Sequence, residues 1–162
     1  MTENCFSLQE LKKQYEKLKQ KYNLPEFEKL NEDFEIEKLQ EKESDLLLRE
    51  IRRAAIDRNI SYLRFIEMFQ NPQQAPLFFL ALVKNLDSRE KQLLDDIYLE
   101  LGKFEIKSIA LDNNYNENKE AEFIKTFYKD WQKIKEKFGK ITQALENSWD
   151  KKSDKSNKGY LG

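Results

Sequence analysis

Apolar residues recur along this chain at alternating spacings of three and four, the period that lines up one face of an α-helix. Leu8, Leu11, Tyr15, Leu18 and Tyr22 do so over the first stretch. They follow Ser7 and Glu10, whose Ser-x-x-Glu spacing predicts a capping box, with Phe6 placed to staple onto Leu11. This helix should end near Asn23, because the residue before Pro25 disfavours helical geometry. Pro25 suits the opening of a second helix with Phe27, Leu30 and Phe34 on one face. The phase is lost at Ile36 and Leu39, so a break is expected between 35 and 43.

The third predicted helix starts near Ser44 or Asp45 and runs to Gln70, where Asn71-Pro72 stops it. Its core stripe reads Leu47, Ile51, Ala55, Arg58, Tyr62, Phe65 and Phe69. Arg58 thus stands within about 20° of the middle of an apolar stripe, where an unpaired charge costs roughly several kcal/mol. It requires a partner or a route to water. Leu77 to Val83 contains no polar residue, which predicts a short helix, apolar on every side, at the buried centre of the domain.

Asp87-Ser88-Arg89-Glu90 offers a second capping box ahead of Leu94, Ile97, Leu101, Phe104, Ser108 and Leu111. Gly102 weakens that helix by about 1 kcal/mol relative to Ala, and Phe104 to Ile109 also alternates in part with period two. A short extended segment at 104–111 is therefore the rival to a continuous helix. A polar loop is expected over Asp112 to Asn118, with Glu117, Glu120 and Glu122 suited to the positive end of the next helix. Phe123, Phe127, Trp131, Ile134, Phe138, Ile141 and Leu145 then form a long seam with heptad spacing from Phe127 onward. Together these elements predict an all-α, single-domain bundle of about six helices around the short apolar one, over 1–149. Residues 150–162, rich in Lys, Ser, Asp and Asn, are expected to form a disordered tail.

Composition agrees with helix, since 36% of the 162 residues are charged and only four are Gly and three Pro. The length suits one domain. A net charge of −1 argues against a surface coated in positive field for wrapping nucleic acid. The sequence shows neither a signal-peptide pattern nor the run of about 18 apolar residues needed to cross a bilayer. A cytoplasmic protein with no membrane partner is expected. Cys5 is the only cysteine, which excludes an internal disulfide and leaves no disulfide partner.

The chain has no His, which removes the commonest general base and metal ligand and every Ser-His or Cys-His arrangement. Its glycines are isolated and form no phosphate cradle. Glu32 and Glu35 supply one Glu-x-x-Glu, but the third helix lacks the second acidic motif of a paired-carboxylate metal site. No catalytic residue, cofactor or metal is therefore expected. A carboxylate-dependent enzyme working without His is the weakest of the functional alternatives.

One feature departs from the rest of the chain. Lys outnumbers Arg 23 to 6, yet Arg49, Arg52, Arg53, Arg58 and Arg64 fall on one helix. Guanidinium offers a planar fork that matches carboxylate or phosphate, so the clustering points to a geometric requirement. The structural explanation is pairing with residues 25–45, which carry a net −6 against a net +3 for 49–64. The functional one is a ridge that grips RNA phosphates, with Tyr62 available to stack, as in an RNA- or ribosome-associated factor. The leading expectation is a non-enzymatic helical interaction protein. It would bind a protein partner, itself or another, through the seam Phe127, Trp131, Ile134, Phe138 and Ile141.

Overall fold

A computed structural model describes residues 7–41 and 44–158, with side chains up to residue 151. Among the described residues the chain is all-α, with α1 (Leu8–Tyr22), α2 (Phe27–Phe34), α3 (Leu47–Gln70), α4 (Leu77–Val83), α5 (Ser88–Asn113) and α6 (Glu117–Lys158). Short 3-10 helices occupy Ile36–Glu41 and Pro72–Gln74, and no strand is present among these residues. Residues 104–111 lie inside α5, so the helical alternative holds there.

Local chemistry sets the helix ends. Ser7 Oγ accepts from the Glu10 N–H at 3.2 Å while the Glu10 carboxylate accepts from the Ser7 N–H at 2.9 Å, completing the predicted box. The predicted Phe6 staple falls outside the described residues. Asp87 and Glu90 make the same reciprocal pair at 2.7 and 2.8 Å ahead of α5. Asn23 and Glu35 both adopt left-handed backbone, with φ of 54° and 53°, and end α1 and α2. The break expected after Phe34 is the 3-10 helix, which turns Ile36 and Leu39 into the core.

Backbone contacts gather into two compact units. The first takes residues up to Ile60 and Lys103–Trp131, the second Ser61–Gly102 and residues from Gln132 onward. The first unit buries α1 through Leu11 and Tyr15 and α2 through Phe27, Leu30 and Phe34 against parts of α3, α5 and α6. Tyr15 Oη donates to the Pro25 carbonyl at 2.6 Å, and burial pushes its phenol pKa upward. Phe127 is the hub of an aromatic cluster, with ring centroids 4.8 Å from Phe104 and 5.6 Å from Phe34, Phe123 and Trp131. The second unit is centred on Ile66, Ile97, Leu101, Ile134 and Ile141, with Phe79 edge-on to both Phe65 and Phe69.

Two expectations are corrected here. α4 is not a buried centre: Phe79 and Leu82 are buried, whereas Leu77 is 84% and Phe78 48% exposed. A two-turn helix packed against one surface presents one face to it, whatever its composition. The core stripe of α3 is also rotated from the predicted one. Arg52 and Asn59 are fully buried alongside Leu48, Ile51, Ala55 and Ile66, while Arg58, Tyr62 and Phe65 are only partly covered. Leu47, Ile51, Ala55 and Phe69 of the predicted stripe are buried, but the face extends towards Arg52 and Asn59, which a reading by hydropathy leaves out.

The end of the chain also differs from expectation. α6 continues to Lys158 over most of the stretch predicted as a disordered tail. Low hydrophobicity suggests disorder, but no Gly or Pro falls between Gly139 and Gly159 to end the helix earlier.

Phe127→Ala should cost about 3–5 kcal/mol, measured as a fall in the denaturant midpoint of the intact chain. A loss below about 1 kcal/mol would mean that its ring is not part of a packed core.

Candidate functional site

The arginine cluster is the one place where the described residues concentrate buried charge. Arg52 lies on the inward face of α3 with its side chain fully enclosed. Its Nε donates to Glu120 Oε2 at 2.7 Å and its Nη2 to Glu120 Oε1 at 3.2 Å, a two-point grip on one carboxylate. Nη2 also donates to Asp112 Oδ1 at 2.7 Å. Nη1 donates to the Ser108 carbonyl at 3.2 Å and to Ser108 Oγ. All five N–H groups of the guanidinium are thus used.

Three features of the local sequence assemble these acceptors. Ser108 and Asp112 are four residues apart and so share a face at the end of α5. Asn116 caps α6 by accepting from the Lys119 N–H at 3.0 Å, and its carbonyl accepts from the Glu120 N–H at 2.9 Å. That short turn returns the chain so that Glu120, in the first turn of α6, faces Arg52 from the positive end of the helix. Glu120 is as enclosed as its partner.

Around this core sit two further arginines. Arg49 Nε and Arg53 Nη2 each stand 3.5 Å from Asp112 Oδ1, and Arg53 Nη1 is 3.2 Å from Glu50. Three arginines therefore meet Glu50, Asp112 and Glu120, and the charges balance. The hydrogen bond from Arg52 holds the Asp112 carboxyl below its usual range, helped by the charges of Arg52, Arg53 and Arg49 and opposed by burial. Burial acts to lower the Arg52 pKa, but its bonds to Glu120 and Asp112 outweigh that and leave it raised.

The other arginines lie apart from this cluster. Arg58, expected in the core, is at the surface 3.7 Å from Glu35. Arg64 belongs to the second unit, where it borders a hollow of about 510 Å³ with Glu67 and Tyr98. Tyr62 stacks on Phe138 with centroids 4.3 Å apart. The acidic stretch 25–45 was the expected partner of the cluster, yet only Arg58 finds an acid there among the described residues. Asp112 and Glu120 take its place because helix ends, rather than a neighbouring parallel face, surround Arg52. The sequence carried one hint of this: Ser108 occupies a seam position otherwise reserved for apolar residues, as the partner of a buried polar group does.

The expected interaction seam is corrected as well. Phe127, Trp131, Ile134 and Ile141 are at most 1% exposed and Phe138 is partly covered, so this face of α6 is core and not a free surface. A heptad spacing serves equally for packing within one chain and between two. The exposed large apolar residues lie elsewhere. In the first unit they are Ile106, Ile109 and Tyr115, all on α5 or the turn after it; in the second they include Leu77, Phe78, Leu99 and Trp149. Phe78 and Trp149 meet edge to face at 5.9 Å.

Among the described residues no group of three or more Cys, Asp or Glu is arranged to hold a metal ion, and no helix is long and apolar enough to cross a membrane. No protein-family model matches this sequence, and no curated protein or solved structure is similar to it.

Removing Arg52 should destabilise the chain strongly, since Glu120 would remain buried without a counter-ion. Arg52→Met is expected to cost about 3–5 kcal/mol, and the double change Arg52→Met/Glu120→Leu to recover most of it. Denaturant unfolding of the three proteins measures both. A second expectation concerns pH. Unfolded Asp112 titrates near 3.8 and the folded carboxyl lower, so its contribution is complete above the unfolded value and is lost as pH falls through the folded one. The stability gap between the wild type and Asp112→Asn should therefore stay level from neutral pH down to about pH 5 and shrink below about pH 4. A gap that is flat through acid would show that Asp112 is not paired.

Proposed function

We propose that this chain is a non-enzymatic helical protein that binds another protein through the outer face of α5. The observation that carries this is that α5 has two apolar faces. Phe104, Ser108 and Leu111 are buried on one side, while Ile106 and Ile109, 71% and 53% exposed, stand on the other. At about 100° per residue Ile106 lies roughly opposite Phe104 and Ser108. A helix that serves only its own core has one apolar stripe and a polar back, and an exposed apolar strip on a folded unit is the usual mark of a contact surface. The lack of His and of a phosphate loop fits a protein that binds rather than catalyses. An RNA ridge has less support, because Arg49, Arg52 and Arg53 face carboxylates and form a charge-balanced group.

The test is affinity capture from the source cells with the wild type and with Ile106→Lys/Ile109→Lys, with and without nuclease. A stoichiometric protein partner that survives nuclease and disappears with the double variant is expected. The variant itself should keep its helical signal and lie within about 0.5 kcal/mol of the wild type, as exposed substitutions do. Equal capture by both proteins, or a complex lost on nuclease treatment, would overturn the proposal.

A further inference from the structure

Within the first unit a cavity of about 380 Å³ opens between the end of α5 and the start of α6. Phe104, Leu111 and Phe123, each at most 9% exposed, form its apolar floor. Ile106 and Ile109 do not line it, so it is distinct from the protein contact proposed above. The floor is bounded at both ends. Phe104 and Leu111 stand two helical turns apart, roughly 10 Å. Beyond Phe104 the chain offers Lys103 on α5, with Lys129 and Asp130 on α6; at the other end stand Asn114 and the polar turn Asn116 to Asn118. A helix or strand laid along the cavity would meet polar side chains before and after it. The apolar surface therefore suits a compact molecule, and its volume lies at the small end of the range for ligand cavities.

Polar side chains surround that floor. Lys107 Nζ stands 5.6 Å over the Phe104 ring. Neither its ammonium, that of Lys119, the Asn114 amide nor the Thr126 hydroxyl has a hydrogen-bond or ion-pair partner among the described residues. All four offer donors. Glu122 is the one acid among the lining residues, and Lys125 engages it at 3.0 Å. Two ammonium groups against one carboxylate leave the rim with a single positive charge in excess. Lys103 and Glu105, neighbours on α5 that do not line the cavity, are of opposite sign and leave that balance unchanged.

We infer that this cavity binds a small carboxylic acid with an apolar body, an arylalkanoate or a medium-chain acyl acid. The body lies on Phe104, Leu111 and Phe123, and Lys107 and Lys119 hold the carboxylate at the rim, with Asn114 and Thr126 as further donors. The charge balance selects a monoanion. A phosphate monoester brings about two negative charges and would leave the site net negative, while an amine of the same shape would add to a positive excess. This ligand site stands or falls independently of the protein contact.

The experiment titrates the full chain with four probes and follows the backbone amides by NMR. The probes are phenylbutyrate, phenylbutylamine with the charge reversed, phenyl phosphate, and acetate, which has the charge without the body. Phenylbutyrate should saturate one site per chain below about 1 mM, with shifts centred on residues 104–126. It should bind at least tenfold more tightly than the amine, and acetate should not saturate. Lys107→Gln/Lys119→Gln should bring acid and amine level, and Lys107→Glu/Lys119→Glu should favour the amine. Ala110→Trp, at an exposed position on the wall, should block both. The comparison of probes on the wild type decides the matter even where a variant does not fold. Equal binding of acid and amine, tighter binding of phenyl phosphate or acetate than of phenylbutyrate, shifts centred elsewhere, or no saturation by the acid would each overturn the inference. None of these outcomes bears on partner capture through Ile106 and Ile109.

Discussion

A guanidinium with no exposed surface persists only if every one of its donors is met, and the first unit is arranged around meeting those of Arg52. Its acceptors come from two helices joined by a short turn: Ser108 and Asp112 from the end of α5, Glu120 from the start of α6. Turning α3 by one residue, or slipping α5 along its axis, would strand at least one buried charge. Apolar packing between the same helices tolerates small slips far better, because methyl groups and rings find new neighbours. The cluster therefore contributes mainly register. Its net energy against a well-packed apolar substitute is about even on general grounds, whereas its loss on one side alone is not. The aromatic cluster around Phe127, with the aliphatic side chains buried beside it, supplies apolar burial that the ionic group does not.

That division explains which parts of the structure were legible in the sequence. Helix starts were, because capping is a local exchange between residues three apart, as at Ser7 and Glu10 or Asp87 and Glu90. The buried face of α5 was too, since Leu94 through Leu111 keep their spacing without a break. The face of α3 was legible in part, with Leu47, Ile51, Ala55 and Phe69 buried as the stripe predicts. Its centre holds Arg52 and Asn59, and hydropathy alone excludes both. Partner identity was also beyond a charge count. The acids of 25–45 outnumber those at the α5–α6 turn, yet a carboxylate at a helix end, converging from the side, reaches a buried guanidinium that an exposed row of acids does not.

The same limit applies to α4 and to the seam of α6. Periodicity reports that a face is apolar, not what covers it. Leu77 to Val83 is apolar throughout, and burial nevertheless reaches only Phe79 and Leu82. Phe127 to Ile141 has the spacing of a coiled coil, yet in the first unit Phe127 and Trp131 pack on rings such as Phe34, and in the second Phe138 packs on Tyr62 and Phe65. Exposure, which no pattern discloses, separates core from contact surface.

Judged by exposure, Ile106 and Ile109 are the residues of the first unit that its own fold explains least. Neither fills the core, since Phe104, Ser108 and Leu111 already cover that side of α5. Neither favours the helix, because β-branched side chains are poorer helix formers than the Lys or Glu that suit an exposed position, by a few tenths of a kcal/mol each. Both expose apolar area to water, at 71% and 53% of their surface. Stability and solubility would each improve with polar residues at these two positions. Contact with a partner protein, as proposed for this face of α5, would offset that cost.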